Sequence, residues 1–323
     1  MSASNYINTG TFEIRLGMWI FFIKFVCMKR IISFCIAIVA AAALVSCVGG
    51  GANLKTEHFE AAGSAAHADL SVDVELPVAS GAAATAIREH LMGFLDERLS
   101  RVTSYENERF FDPYDGDRGD TEGFVKYYYD QTLALLGRLS QEDADERSSW
   151  IEQDEERTPE EKADMLASFP SWEYEYTLSK IEETPAYVVF QSQDYIYMGG
   201  AHGGVSGDGC LTFCKKDGSY LETLIDPDAV EEMQPLLEDG LVSYFSDAGE
   251  QVAREDLRGL LLLLDGDQIP LPAWQPFPAE DGLVFTYQQY EVAPYAAGMP
   301  QFTVPFEKVA SFLTPEAKAL LSL

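Results

Sequence analysis

Residues 171–209 read SWEYEYTLSKIEETPAYVVFQSQDYIYMGGAHGGVSGDG. In the first part, Trp172, Tyr174, Tyr176 and Leu178 alternate with Glu173, Glu175 and Thr177. A period of two puts the aromatic residues on one face of an extended strand and the acids on the other; the aromatic face reads as core. After the short link Ile181–Pro185 the alternation resumes at Ala186 and runs to Met198, with Tyr195 and Tyr197 on one face and Ile196 and Met198 on the other. Two strands so closely joined read as a hairpin. The pattern breaks at Gly199 and Gly200, which tolerate positive φ and leave backbone N–H groups accessible. The glycine-dense stretch beyond them carries one histidine, His202. It reads either as a tight loop between sheet strands or as a site at a strand end, with His202 and the nearby tyrosines facing a ligand.

Downstream of this hairpin, CLTFCKKDGSYLETLI (210–225) reads as a second one, turning at Lys216–Ser219. Helical spacing returns in Val230, Met233, Leu237, Leu241 and Tyr244, with Pro235 kinking or restarting the helix. The run Leu257–Leu264 is wholly apolar apart from Arg258, Gly259 and is expected to be buried. Residues 281–309 then supply a strand, a Pro/Gly-rich turn, an edge-like strand and a helix, and Thr314–Pro315 starts a last helical turn.

Upstream, Leu70, Val72, Val74 and Leu76 alternate with polar residues in a half-buried strand stopped at Pro77. Ser80 is the expected cap of a helix whose apolar stripe is Ile87, Leu91, Phe94 or Leu95, and Leu99, flanked by His90. The aspartates at 112, 115, 117 and 120 lack the spacing of a calcium loop, and read as a turn capping the helix of Val125, Tyr128, Thr132, Leu135 and Leu139. Residues 141–164 are sharply acidic and read as a solvated face or mobile connection, with Trp150 as the one residue that pins it down. Residues 48–68 are small and glycine-rich and read as a flexible tether. Strands and helices without regular βαβ alternation place the chain in the α+β class, with antiparallel sheets and flanking helices.

The first residues read as targeting rather than fold. From Met28 the chain runs Lys29, Arg30, an apolar stretch to Leu44, then Leu44-Val45-Ser46-Cys47. These are the parts of a secretory signal, and the cysteine after Leu-Val-Ser looks like a bacterial lipobox, with Cys47 acylated. Residues 1–47 are therefore the expected leader, with Met28 the expected true start, and the protein the expected resident of the bacterial cell envelope, lipid-anchored to a bilayer. Cys210 and Cys214 remain; four residues apart on a strand they are separated by about 13 Å, beyond the roughly 7 Å a disulfide spans.

The chain holds 22 Lys and Arg against 53 Asp and Glu, a net charge of −31. The leader carries Arg15, Lys24, Lys29 and Arg30 against Glu13 alone, so the remainder is more negative still. Such a surface repels nucleic acid and steers cationic partners inward. A hydrophobic content of 47% with 12% aromatic residues suffices for a packed core.

The usual catalytic templates are absent. Ser206 is not framed as G-x-S-x-G, no H-E-x-x-H occurs among four histidines, and the glycine loop has neither dinucleotide nor phosphate-loop spacing. No cofactor or metal is expected. His202 with Asp208 could act as base and orienter, which leaves an envelope polysaccharide hydrolase using His202 as the alternative.

The motifs Tyr197-x-Gly199-Gly200-Ala201-His202 and Tyr290-Glu291-x-Ala293-Pro294-Tyr295-x-x-Gly298, with DGSYLETLIDPDAVEEM between them, resemble an extracytoplasmic family. It is the RsiV/PdaC type of paired domains of unknown function, the ectodomain family of a lysozyme-responsive anti-sigma factor. The resemblance runs from about Leu70 to the C-terminus and implies two packed α+β subdomains, 69–204 and 205–323. This chain has a lipobox where the anti-sigma factor has a transmembrane helix, and lacks the metal ligands of a deacetylase domain. What the resemblance implies is a non-enzymatic binding module for a cationic protein such as lysozyme, or for peptidoglycan. The expected contacts are Tyr197, Gly199, Gly200, His202, Tyr290 and Tyr295.

Overall fold

The computed structural model describes residues 53–101, 109–200, 203–247, 251–263 and 268–323, the side chains of 205–208 excepted. The leader, Cys47, Ala201 and His202 lie outside the described residues. No described helix is long and apolar enough to cross a membrane.

A six-stranded sheet runs in the order β1-β2-β3-β4-β5-β6: Thr56–Ala65, Ala68–Pro77, Trp172–Glu183, Tyr187–Tyr197, Gly204–Cys214 and Tyr220–Leu221. Strand β1 falls where a tether was expected, and that expectation is corrected for this stretch. It pairs antiparallel with β2 along its whole length, from Thr56 opposite Pro77 to Ala65 opposite Ala68. Its small residues are there for close packing. A Cβ on Gly63 would lie 2.5 Å from the Tyr129 hydroxyl, and one on Gly137 would lie 2.8 Å from the Ala65 Cβ. Both Tyr129 and Gly137 belong to the helix lying over the strand.

Between β2 and β3 come α1 (Ala82–Leu99), α2 (Thr121–Gln153) and α3 (Pro159–Ala167). With three helices in the crossover, β3 returns parallel to β2 (Leu70 opposite Tyr174), so the sheet is mixed rather than purely antiparallel. The α1 stripe is as expected, with Ile87, Leu91, Leu95 and Leu99 buried. Its N-cap is Gly81, without a side-chain cap, rather than Ser80. Asp120 caps α2, accepting from the Gly123 amide at 3.0 Å. The acidic stretch is not a loop. It continues α2 to Gln153, where Ile151 is buried and Trp150 is not.

The inward residues of β2, β3 and β4 (Val72, Val74, Tyr174, Tyr176, Leu178, Phe190) meet those stripes in the first core, confirming the aromatic face of β3 as interior. The β5–β6 hairpin turns where expected, with the Cys214 amide bonded to the Ser219 carbonyl. Because β5 bonds to β4 from Ile196 opposite Gly204 to Tyr187 opposite Cys214, the sheet passes through residue 204 without interruption.

The second core belongs to the C-terminal region. Here α4 (Val230–Asp247) packs on an antiparallel sheet of β7 (Phe277–Ala279), β8 (Gly282–Thr286) and β9 (Gln301–Pro305), followed by α6 (Phe306–Val309) and α7 (Pro315–Leu321). Met233, Leu237, Leu241, Leu283, Phe285 and Phe302 form its centre. Thr314 caps α7 with Pro315 first in the helix, as the sequence predicts. A third, small cluster joins the two regions: Tyr187, Val189 and Cys210 of the large sheet against Phe277, Leu320 and Leu321. Burial there pushes the Cys210 thiol up to about 12.

The run starting at Leu257 departs from expectation. Leu257, at the end of α5 (Arg254–Leu257), is buried, but Leu260 and Leu262 are 39% and 43% exposed. The chain leaves the helix and crosses the surface, the Leu262 amide bonding to the Val292 carbonyl at 2.8 Å. Leu261 and Leu263 turn toward the core, and their neighbours therefore face outward. Leu264 lies outside the described residues.

Candidate functional site

The end of β4 carries the first half of the site. Gly199 has φ 74°, and Arg147 of α2 reaches across to donate from Nη1 to its carbonyl at 3.2 Å. A Cβ at Gly199 would stand 3.1 Å from Arg147 Nη2, so glycine is required by conformation and by the approach of the guanidinium. Arg147 is itself held by Asp143, Nε to Oδ1 at 2.9 Å. One turn along the loop, the Tyr197 hydroxyl donates to the Gly200 carbonyl at 3.1 Å.

The second half is the turn 287–300. Glu291 organises it from within, its carboxylate accepting from the amide of Gln288 at 2.7 Å and from that of Ala273. Burial pushes the Glu291 carboxyl up, against the lowering effect of those two amides. The Tyr244 hydroxyl of α4 secures the far end by donating to the Ala297 carbonyl at 2.6 Å. Tyr290 sits at φ 66°, an uncommon setting for an aromatic residue, and is 57% exposed. Its ring lies 5.7 Å from that of Tyr295.

The two halves meet. The Tyr295 hydroxyl donates to the Gly203 carbonyl at 2.6 Å, across 92 residues of sequence. Tyr197, Gly199 and Gly200 on one side and Tyr290 and Tyr295 on the other therefore flank one loop. His202 belongs to that loop but lies outside the described residues, so its surroundings carry no argument here. Tyr295 fastens the loop, while Tyr290 projects from it.

The sheet adds a feature that sequence spacing alone does not reveal. Strand register places Glu173 between Asp69 and Tyr197, and Glu175 between Ser71 and Tyr195. These residues share the sheet face opposite the first core, and Asp69 and Glu175 are exposed. Carboxylates directly opposite one another on neighbouring strands cost stability unless a cation offsets them. On the covered face, Asp194 is 3% exposed in its side chain and pairs with Arg98 of α1 at 2.5 Å. Among the described residues no three His, Cys, Asp or Glu side chains converge as a metal site.

Residues 274–307 match the family model described as a protein of unknown function, DUF3298. That segment spans β7, β8, the Tyr290–Tyr295 turn and β9. A solved member of the DUF3298 family from Bacteroides fragilis is similar in fold, with a TM-score of 0.59 over 85% of this chain and 100% of that one, at 16% identity. A DUF3298 family protein from Pseudomonas aeruginosa aligns over 83% of this chain and 98% of its own at 13% identity, with a TM-score of 0.49. No curated protein matches the chain. At such identities the likeness concerns the fold, and the α+β class is thereby shown.

The residues that sequence reasoning missed are Arg147, Glu291 and the Asp69–Glu173 row. Glu291 stood inside the quoted motif, and that position was its one available signal. Arg147 had none, because it lies in a helix 52 residues from the glycine whose carbonyl it holds.

Proposed function

We propose that this chain is a non-enzymatic binding module of the bacterial cell envelope, tethered to a bilayer through acylated Cys47, that docks a cationic protein such as lysozyme. One observation carries the reading: the row Asp69–Glu173–Tyr197 runs along the sheet face opposite the first core up to the glycine loop. Clustered carboxylates leading to a loop flanked by the exposed ring of Tyr290 suit a basic protein surface, with the ring supplying rigid contact area and the acids supplying attraction to Lys and Arg. The overall charge of −31 acts in the same direction at longer range. The cell-envelope placement and the lipid anchor rest on the lipobox-like sequence ending at Cys47 and on the family resemblance.

The test is calorimetric titration of the purified protein with hen lysozyme at low and moderate salt, with peptidoglycan fragments in parallel. Saturable lysozyme binding that weakens with salt is expected, and Tyr290→Ala should weaken it by about tenfold, as for an aromatic contact at the centre of an interface. A double change of Glu173 and Glu175 to Gln should slow association and flatten the salt dependence. Absence of lysozyme binding at micromolar concentrations sinks the proposal. Turnover of a wall polymer that disappears in His202→Ala would replace it with an enzyme.

A further inference from the structure

A separate groove of about 420 Å³ opens between the C-terminal turns of α2 and α3, with Trp150, Phe169, Met165, Arg147, Arg157 and Asp154 among its lining residues. Three observations mark it as unfinished by the fold itself. Trp150, the largest apolar side chain on this part of α2, is 66% exposed, while its neighbour Ile151 fastens the helix to the molecule. Helix α3 contributes no buried residue, yet a complete capping box at Thr158 and Glu161 and a proline in its first turn hold it in place as a wall. Arg157 is anchored through Nε to Asp154 at 2.8 Å, and among the described residues its terminal nitrogens make no further hydrogen bond.

The chemistry of these groups selects a ligand class. A flat, exposed indole offers an apolar platform matched to the C–H face of a pyranose ring. A guanidinium edge and a carboxylate present planar, paired donors and acceptors that suit neighbouring hydroxyls. The two guanidinium groups at the groove are each paired with a carboxylate, Arg147 with Asp143 and Arg157 with Asp154, so its charges balance on a chain of net charge −31. The groove thus complements a neutral polar ligand where most of the surface favours cations. Its volume suits roughly one or two sugar rings.

We propose that the α2–α3 groove is a carbohydrate site, in which a neutral pyranose stacks on Trp150 and is hydrogen-bonded by Arg157 and Asp154. The site goes beyond the protein-docking reading and stands or falls without it. Arg147 connects the two places, since it lines the groove and holds the Gly199 carbonyl.

The probes are the tetramer of N-acetylglucosamine and cellotetraose, titrated into the full chain by calorimetry and by tryptophan emission. Of the other three tryptophans, Trp172 is half-buried, Trp274 is buried and Trp19 lies in the expected leader, so an emission change that disappears in Trp150→Phe is assigned to Trp150. Saturable binding of at least one probe is expected, with Trp150→Ala weakening it by about tenfold or more and Trp150→Phe retaining part of the affinity. Arg157→Ala should weaken it by about threefold. Circular dichroism and thermal midpoints identify any variant that fails to fold; Trp150→Ala, an exposed change, should match the parent. Failure of both sugars to bind at about 10 mM overturns the proposal, as does unchanged affinity in folded Trp150→Ala. Lysozyme binding measured on the same variant should be unaltered, which separates failure of this site from failure of the docking surface.

Discussion

Two stretches of the molecule invert what their compositions suggest. Thr56–Ala65 is poor in large apolar residues and forms a full-length sheet strand. The leucine-rich run from Leu257 to Leu263 leaves two leucines in solvent. The difference lies in what stands across from each. Helix α2 approaches β1 so closely that a Cβ at Gly63 would meet the Tyr129 hydroxyl and one at Gly137 would meet Ala65, and close packing of small groups excludes water as well as large ones do. After α5, Leu261 and Leu263 turn to the core while Leu260 and Leu262 face solvent, the segment being bonded to the turn at Val292 through the Leu262 amide. Burial is a property of the pair of surfaces, and a single segment carries half of it.

Three substitutions probe this contrast. The largest effect belongs to Leu257→Ala, which empties a fully buried position and should cost about 2–5 kcal/mol in urea unfolding. Leu262→Ser, five residues further on, should stay within about 0.5 kcal/mol. Equal losses at both would show the apolar run to be buried as a unit. Next comes Gly137→Val, which would drive a side chain into Ala65; a loss of about 2–3 kcal/mol is expected from overpacking, with faster amide exchange along β1. A silent Gly137→Val would mean that β1 is only loosely attached.

A loss smaller than those at Leu257 and Gly137 concerns the anchor of the stretch leading into β1. Glu183 accepts from the Leu54 amide at 2.6 Å and pairs with Lys215 and Lys180 at 2.5 and 2.9 Å. Burial alone would raise its pKa, but Lys215, the Leu54 amide and Lys180 together hold it below the ordinary glutamate value. A carboxyl with a lowered folded-state pKa adds stability above its unfolded value, and that stability fades as pH falls through the folded one. Glu183→Gln should therefore cost about 1–2 kcal/mol at neutral pH, and the gap from the parent should close on acidification. A gap independent of pH would show that the ion pairs contribute nothing and that packing alone secures the segment.

Much of the large sheet was legible because its strands carry a strict period of two. Val72 and Val74 in β2 and Tyr174 and Tyr176 in β3 face the core as the alternation requires. The turn at Lys216–Ser219 and the capped start at Thr314 were legible because their signals are local hydrogen-bonding chemistry. The extent of α2 was not, since its acidic second half is a solvated helix face whose buried contacts, Ala144 and Ile151, are sparse. For the candidate site, the motifs marked Tyr197, Gly199, Gly200, Tyr290 and Tyr295, but nothing within either motif encodes their meeting at Gly203.

By itself, then, the amino-acid order determined which segments alternate, where chains turn, how negative the surface is, and that the class is α+β. Only the tertiary structure decided that β3 runs parallel to β2, that Arg147 reaches Gly199, and that Asp69, Glu173 and Tyr197 stand in one row. The reason is physical. Periodicity and capping act over a few residues and are written in neighbouring letters. Strand register and helix placement are instead set by contacts between segments a hundred residues apart, whose energies depend on both surfaces at once.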